Sequence, residues 1–255
     1  MNKKRHAVSL FIALVLGASS AFSQGTDSKA AGIIALMEDK LNLEGSDVTS
    51  VFSLVQRKAG EADRVIKIKI YRRDAAQKFT LLFQYPESEK GKGYYRSGDN
   101  LYLYLPSTRE FVFRNRKDDV GATDVRTDLF GKLDLLKQYS VTYDGVQKIA
   151  AYDCDVIGLK ATALDVSYPV QKWYIRKSDN LPVKVENFSA SKTLLRTSFY
   201  IDYKPVRPGK FLFTKLLAVN NLEKDQRTLL SNEDIKTAAI PDYTFSQAFL
   251  EEQSR

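Results

Sequence analysis

The segment from Gly98 to Phe113 constrains the fold of this chain more than any other. It predicts two strands joined by a turn at Pro106-Ser107-Thr108. Because side chains alternate along a strand, the first strand has leucines on one face and tyrosines on the other. The two sets are Leu101, Leu103 and Leu105, and Tyr102 and Tyr104. A strand that is apolar on both faces must be covered on both, or must line something apolar.

Most of the remaining chain alternates apolar and polar residues with the period of a half-buried strand. The clearest case is residues 66–70, where three isoleucines alternate with two lysines. The pattern predicts about eleven strands, separated by turn residues such as Asp144-Gly145. It also predicts short helices at about residues 28–42, 128–137 and 246–251, and an exposed, charged loop at residues 114–126.

A twisted antiparallel sheet of this length tends to curl. Its apolar face must be covered by another sheet, by helices or by a ligand. Three short helices are too few to cover that face densely. We therefore predict a mainly β fold, in which one long antiparallel sheet curls into an unclosed half barrel. A lid of a few short helices would lie over a roomy apolar interior.

Residues 1–23 are predicted to be a cleavable signal peptide. A basic start at residues 3–5 precedes an apolar run at 7–17 and the small residues of Ala21-Phe22-Ser23. The run is too short to span a bilayer comfortably, which disfavours the alternative of a retained anchor. No cysteine lies near the cleavage site, so a lipoprotein signal is not expected. The expectation is an exported, periplasmic protein with one domain at residues 24–255.

Removal of the signal peptide would leave a chain without histidine, since His6 is the only one, and with Cys154 as its only cysteine. This excludes an intramolecular disulfide, catalysis by Ser-His-Asp or Cys-His groups, and zinc sites that use histidine. We predict no catalytic, cofactor-binding or metal-binding residue, and no enzymatic activity. The apolar setting of Cys154 indicates a buried structural thiol.

The formal net charge of +8 falls by three when Lys3, Lys4 and Arg5 are removed. A modest basic excess suits an anionic membrane surface or lipid headgroup, but it is common in ordinary soluble proteins, and we favour the latter. Four aspartates between residues 118 and 128 raise the alternatives of carboxylate catalysis or a calcium loop. Arginines and lysines in the same segment favour a solvated, charge-balanced loop.

Several short motifs follow one another along the chain in a characteristic order. Gly98–Pro106 is followed by an arginine-containing strand, an acidic loop and Asp128-Leu129-Phe130. Later motifs are Trp173-Tyr174-Ile175, Leu181–Glu186, Arg196-Thr197, Tyr200 and Asp202-Tyr203-Lys204. This order resembles that of the outer-membrane lipoprotein-sorting protein family, the LolA-like group of periplasmic carriers. The resemblance covers most of the chain after the signal peptide.

The resemblance implies an unclosed barrel whose concave apolar surface holds the acyl chains of a lipoprotein or lipid. It also implies that the protein is a periplasmic carrier that shuttles this cargo towards the outer membrane. Implied partners are an acylated lipoprotein or lipid, an inner-membrane release complex and an outer-membrane acceptor. A monomer is expected, without a cofactor or nucleic acid. The alternative is a module of the same fold that senses lipoproteins, or docks another envelope protein, without transferring cargo.

Fourteen phenylalanines and fourteen tyrosines could line a cavity or fill a core. The residues alone favour a core, and the resemblance favours a cavity. Candidate cavity residues are Phe79, Leu81, Phe83, Leu101, Leu103, Leu105, Phe111, Phe113, Trp173, Phe199, Phe211 and Phe213. Candidate lid residues are Ile33, Ile34, Met37, Leu41, Leu129, Phe130 and Leu133.

Overall fold

A computed structural model describes residues 27–115 and 117–254, and the predicted signal peptide lies outside these residues. The described chain forms one antiparallel sheet with three α-helices. The strands are β1 Val48–Arg57, β2 Arg64–Arg73, β3 Lys78–Tyr85, β4 Gly93–Ser97, β5 Asn100–Leu105, β6 Glu110–Arg114, β7 Tyr139–Ile149, β8 Tyr152–Ala161, β9 Val170–Arg176, β10 Pro182–Phe188, β11 Leu194–Arg207, β12 Lys210–Asn220 and β13 Arg227–Thr237. The helices are α1 Ser28–Leu41, α2 Leu135–Gln138 and α3 Gln247–Gln253.

The strand order is β6-β5-β4-β3-β2-β1-β13-β12-β11-β10-β9-β8-β7. The sheet thus consists of two meanders joined where β1 pairs with β13, and in the described residues β6 and β7 are its unpaired edges. The predicted fold class is confirmed, with thirteen strands rather than about eleven. Sequence reasoning missed β4, because Gly-Tyr-Tyr-Arg-Ser has no alternation of apolar and polar residues.

The connection from β6 to β7 must cross the open side of the curled sheet, because these strands are its two opposite edges. We call residues 117–138 the strap. The predicted exposed loop is wrong over this stretch, since the strap buries Val120, Asp124 and Val125. The predicted helix at 128–137 is also wrong, because Gly131 separates a 3-10 turn, Thr127–Phe130, from the four-residue α2.

The strap packs tightly against the concave face of the sheet. The ring of Phe130 meets that of Phe52 edge-on, with centroids 5.0 Å apart. Gly121 has a φ of +56°, and a Cβ atom there would lie 2.7 Å from the Cδ1 atom of Ile66. Only glycine fits both the backbone conformation and the close approach. The strap therefore acts as a covering layer for strands β1 to β5.

Helix α1 covers the other half of the concave face. It occupies almost the predicted range and begins after Asp27, whose Oδ1 atom accepts hydrogen bonds from Lys29 N and Ala30 N at 2.8 and 3.1 Å. Its buried residues, among them Ile34 and Met37, pack in one cluster with residues of β7, β8, β9 and β10. No helix in the described part of the chain is long and apolar enough to cross a membrane.

The convex face is covered near the hairpin of β5 and β6 by α3, which Ser246 caps close to the predicted position. Leu250 of α3 packs with Leu82 and Tyr104, and Phe111 packs against the same cluster. This cover explains how a hairpin that is apolar on both faces is stable in water. Phe113, at the sheet edge, remains 62% exposed.

Arg73 attaches the segment after β13 to the sheet. Its guanidinium donates hydrogen bonds to Asp47 at 2.9 and 2.8 Å, and also to Asp242 and the carbonyl of Ile240. The hydrogen bond from Arg73 is the main cause that lowers the pKa of Asp47. A lowered folded-state pKa contributes stability above the unfolded value of about 3.9 and loses it as the pH falls through the folded value.

Asp47→Asn is therefore expected to lower the free energy of unfolding by about 1 kcal/mol at pH 7, and by progressively less below about pH 4. Urea unfolding at several pH values measures this. Asp63→Asn, which removes an exposed ion pair with Arg57, is the control and should change little. A penalty at Asp47 that stayed constant down to pH 2.5 would contradict the prediction.

Candidate functional site

A cavity of about 140 Å³ lies between the strap and the concave faces of β9 to β12. Its apolar lining includes Leu129, Leu133, Leu135, Trp173, Val185, Tyr200, Leu216 and Ala218. An engineered apolar cavity of about 150 Å³ holds one benzene molecule, so this one accommodates only a small group. The roomy interior expected from the sequence is not present in the described part of the chain, because the strap and α1 fill most of the concave side.

A chain of hydrogen bonds fixes the aromatic wall of the cavity. Trp173 Nε1 donates to Gln171 Oε1 at 2.7 Å, and Gln171 Nε2 donates to the hydroxyl of Tyr139 at 3.3 Å. That hydroxyl in turn donates to the carbonyl of Tyr168 at 3.0 Å. Burial raises the pKa of Tyr139, so its phenol stays neutral at ordinary pH. The chain holds the indole of Trp173, which is 4% exposed, in one orientation.

The part of the strap nearest β13 is held by the carboxylate of Asp124, which is 3% exposed. Four neutral side chains donate hydrogen bonds to it. They are Gln56 at 3.3 Å, Asn220 at 3.2 Å, Gln226 at 2.6 Å and Thr228 at 2.9 Å. A buried carboxylate with this many donors is well solvated by the protein. Asp124 is thus an anchor and not the solvated acid expected from the sequence.

A second attachment joins the strap to β11. Arg196 NH1 and NH2 donate to the two carboxylate oxygens of Asp119 at 3.0 and 2.9 Å, a bidentate pair. Burial alone would lower the pKa of Arg196, but Tyr168 and Asp119 raise it overall, so the guanidinium is charged. Arg196 lines the cavity at its polar side, together with Asn187 and Ser198.

Only Trp173 among the twelve predicted cavity residues lines this cavity. Five of the others are buried in the cluster beneath the strap, and two are partly buried against it. The first group is Phe79, Leu81, Phe83, Leu101 and Leu103, and the second is Leu105 and Phe213. Phe211 packs beneath α1. Their contact with a ligand remains a prediction that requires this face to open.

Three of the predicted cavity residues lie on the convex face. Phe111 packs with Tyr104, with ring centroids 4.8 Å apart, and Phe113 packs with Tyr102 at 5.7 Å. Phe199 lies beside Lys184, away from the cavity. Alternation was read correctly along β5 and β6, but nothing in a single strand's pattern says which of two apolar faces is concave.

The predicted lid residues divide between two elements. Leu129 and Leu133 of the strap line the cavity, and Phe130 is buried beside it. Ile33, Ile34, Met37 and Leu41 of α1 belong to the cluster on the other half of the face. The two sets cover adjacent parts of one concave surface. Their function as a lid remains a prediction.

Sequence reasoning missed most of the cavity wall. Tyr200, Leu216 and Ala218 line it because Tyr200 pairs with Leu216, and Ser198 with Ala218, across β11 and β12. The signal that could have found them is the change of apolar face along β11, where a bulge lies between Tyr200 and Asp202. Alternation through that bulge placed Phe199 inside instead.

Comparisons with known proteins agree on the fold. A LolA superfamily protein from Nitrosomonas europaea is 19% identical, with a TM-score of 0.76 over 86% of this chain and 98% of that one. A domain described as outer membrane lipoprotein-sorting from Vibrio parahaemolyticus is 16% identical, with a TM-score of 0.78 over 88% and 98%. A DUF1329 family protein from Desulfovibrio piger is 15% identical, with a TM-score of 0.77 over 88% and 100%.

At these identities the likeness shows the fold alone. The resemblance expected from the sequence is therefore confirmed as one of architecture. A family model described as "uncharacterized protein" matches residues 75–252, which is more than half of the chain. No curated protein matches the chain.

Proposed function

The chain belongs to the family of uncharacterized proteins whose model matches residues 75–252, and we propose that it binds lipid or lipoprotein acyl chains on its concave apolar face. It would carry them through the periplasm towards the outer membrane. The observation that carries the proposal is the cover on this face: a strap and a helix lie over two large apolar clusters, and polar contacts of Asp119 and Asp124 attach the first part of the strap to the sheet.

The energetics of such a carrier are favourable. Burial of about fifteen methylenes contributes on the order of 10 kcal/mol before costs, which suffices to hold a lipid in water. A chain of that length does not fit a cavity of about 140 Å³. Uptake therefore requires the strap, α1 or both to move away from the sheet. At the small cavity beside Trp173, the ligand would first replace contacts between the cover and the sheet.

Native mass spectrometry of protein purified gently from the source envelope tests the proposal directly. Bound lipid or acylated protein is the expected result. A second measurement is the uptake of lipid from vesicles. The fluorescence of Trp173, the only tryptophan of the chain, monitors this uptake. A protein that carries no lipid and takes none from vesicles would not be a carrier.

Ala218→Leu is expected to weaken binding of a long-chain lipid about tenfold or more. The added carbons would occupy the cavity and displace two or three methylenes of the ligand, at about 0.8 kcal/mol each. Val219→Leu is the matched control, because the next residue of β12 faces the opposite side of the sheet. Equal affinities for the two variants would exclude this cavity from the binding surface.

Delivery separates a carrier from a sensing module of the same fold. A carrier loaded with labelled lipid should transfer it to acceptor vesicles. Retention of the lipid in the presence of acceptor vesicles would favour the sensing module. The concave face would bind the acyl chain in either case, so the transfer assay is independent of the binding assay.

A further inference from the structure

Arg196 lies between two spaces. It lines the inner cavity and also an open polar pocket of about 690 Å³ at the rim of the sheet. Its side chain is only 13% exposed, whereas that of its partner Asp119 is 35% exposed. The cation is therefore fixed on the rigid sheet, while the anion that neutralises it belongs to the strap and is accessible to water.

The charge of the outer pocket depends on Asp119. The ionisable side chains that line it are Lys58, Lys224, Arg196, Glu61, Glu223 and Asp119. Three cations and three anions balance there only while Asp119 is in place. Withdrawal of Asp119 would leave one uncompensated positive charge, centred on a largely buried guanidinium, and such a charge is costly without a partner.

A second arginine, Arg126, lies close to Asp119 and has one donor atom that makes no hydrogen bond to the described residues. Arg126 NH1 donates to the carbonyl of Ser167 at 3.1 Å, but its buried Nε atom makes no hydrogen bond in the described part of the chain. That atom lies 3.9 Å from the nearest oxygen of Asp119. An oxygen atom placed closer could accept from it as well as from Arg196.

We propose that an anionic headgroup, through a carboxylate or phosphate oxygen, takes the place of Asp119 on Arg196 while its acyl chain enters the inner cavity. This inference rests on the proposed function and names its substrate class, an anionic lipid. Displacement of Asp119 loosens the strap from β11 at the moment when the headgroup compensates Arg196. Neutral lipids cannot make this exchange, so they would meet a strap that stays attached.

Myristate and tetradecanol test the headgroup, since they share a chain length and differ in charge. Quenching or shift of the fluorescence of Trp173 reports binding of either. Myristate is expected to bind at least about tenfold more tightly to the native protein. In Arg196→Gln the ratio of the two affinities should fall close to one, because the variant lacks the cation that distinguishes a charged headgroup from a neutral one. Lys215→Gln, which removes an exposed lysine of β12, should leave the ratio unchanged.

Asp119→Asn provides a second test that does not depend on correct folding of the Arg196 variant. Removal of the competing carboxylate should strengthen myristate binding more than tetradecanol binding. Equal affinities of native protein for both lipids, or a ratio that survives in Arg196→Gln, would overturn the headgroup site and leave acyl-chain binding intact. Inorganic phosphate that alone reproduces the fluorescence change would also overturn it, in favour of a free-anion site. Binding of neither lipid would overturn the proposed function together with the headgroup site.

Discussion

Asp124→Ala is expected to lower the free energy of unfolding by about 3–5 kcal/mol. The substitution removes an acceptor shared by four side chains, which come from β1, β12, β13 and the turn between β12 and β13. Buried donors left without a partner each cost about 1–3 kcal/mol, reduced where water enters the space. The strap should lose its attachment to these strands.

Chemical unfolding monitored by circular dichroism and by Trp173 fluorescence measures the loss. Asp118→Ala is the matched control in the same strap, because its side chain is 37% exposed and its ion pair with Arg114 is long, at 4.0 Å. It should change stability by less than about 1 kcal/mol. The Asp124 variant should also take up lipid from vesicles faster than native protein. Similar stability of the two variants would mean that Asp124 does not anchor the strap.

The β-rich architecture could be predicted from sequence because its signal is local and repeated. Residues 66–70 alternate isoleucine and lysine, and in the structure all three isoleucines are buried in the cluster beneath the strap. The turn after Leu105 was likewise readable from a few neighbouring residues. Each of these depends on the conformation of a single element.

The strap could not be predicted in the same way. Its buried apolar residues, Val120, Val125 and Phe130, are five positions apart and follow neither the helical nor the strand period. Its charges resemble those of a solvated loop, yet Asp119 pairs with Arg196, which is 77 residues away in the chain, and Asp124 accepts from Gln56, which is 68 residues away. Burial of this segment follows from topology, since it joins the two edges of the sheet.

The candidate site was difficult to predict for the same reason, because it is formed by segments that are distant in the chain. The cavity wall combines side chains of β9 to β12 with Leu129 and Leu133 of the strap, and a register shift in β11 decides which residues face inward. Trp173 was found because its own strand alternates regularly. Arg196 was visible as part of a motif, but its position between cavity and rim depends on contacts with Asp119 that only the folded chain brings together.

Leu103→Glu is expected to prevent cooperative folding. Leu103 is 4% exposed in the packed cluster beneath the strap, and it does not line the cavity. Loss of a buried leucine costs about 2–5 kcal/mol, and an unpaired carboxylate in its place adds several more. The sum approaches the 5–15 kcal/mol that stabilises a typical domain. Circular dichroism and heat-induced unfolding provide the measurement.

Tyr102→Glu is the matched control, because residue 102 lies on the convex face of the same strand and is partly exposed. It should fold and lose little stability. Ile68→Glu, in the same cluster as Leu103 and fully buried, should behave like Leu103→Glu. If Leu103→Glu folded with a loss near that of Tyr102→Glu, water would have to reach the concave face beneath the strap. The open state would then be the dominant one in solution, and lipid uptake would require no displacement of the strap.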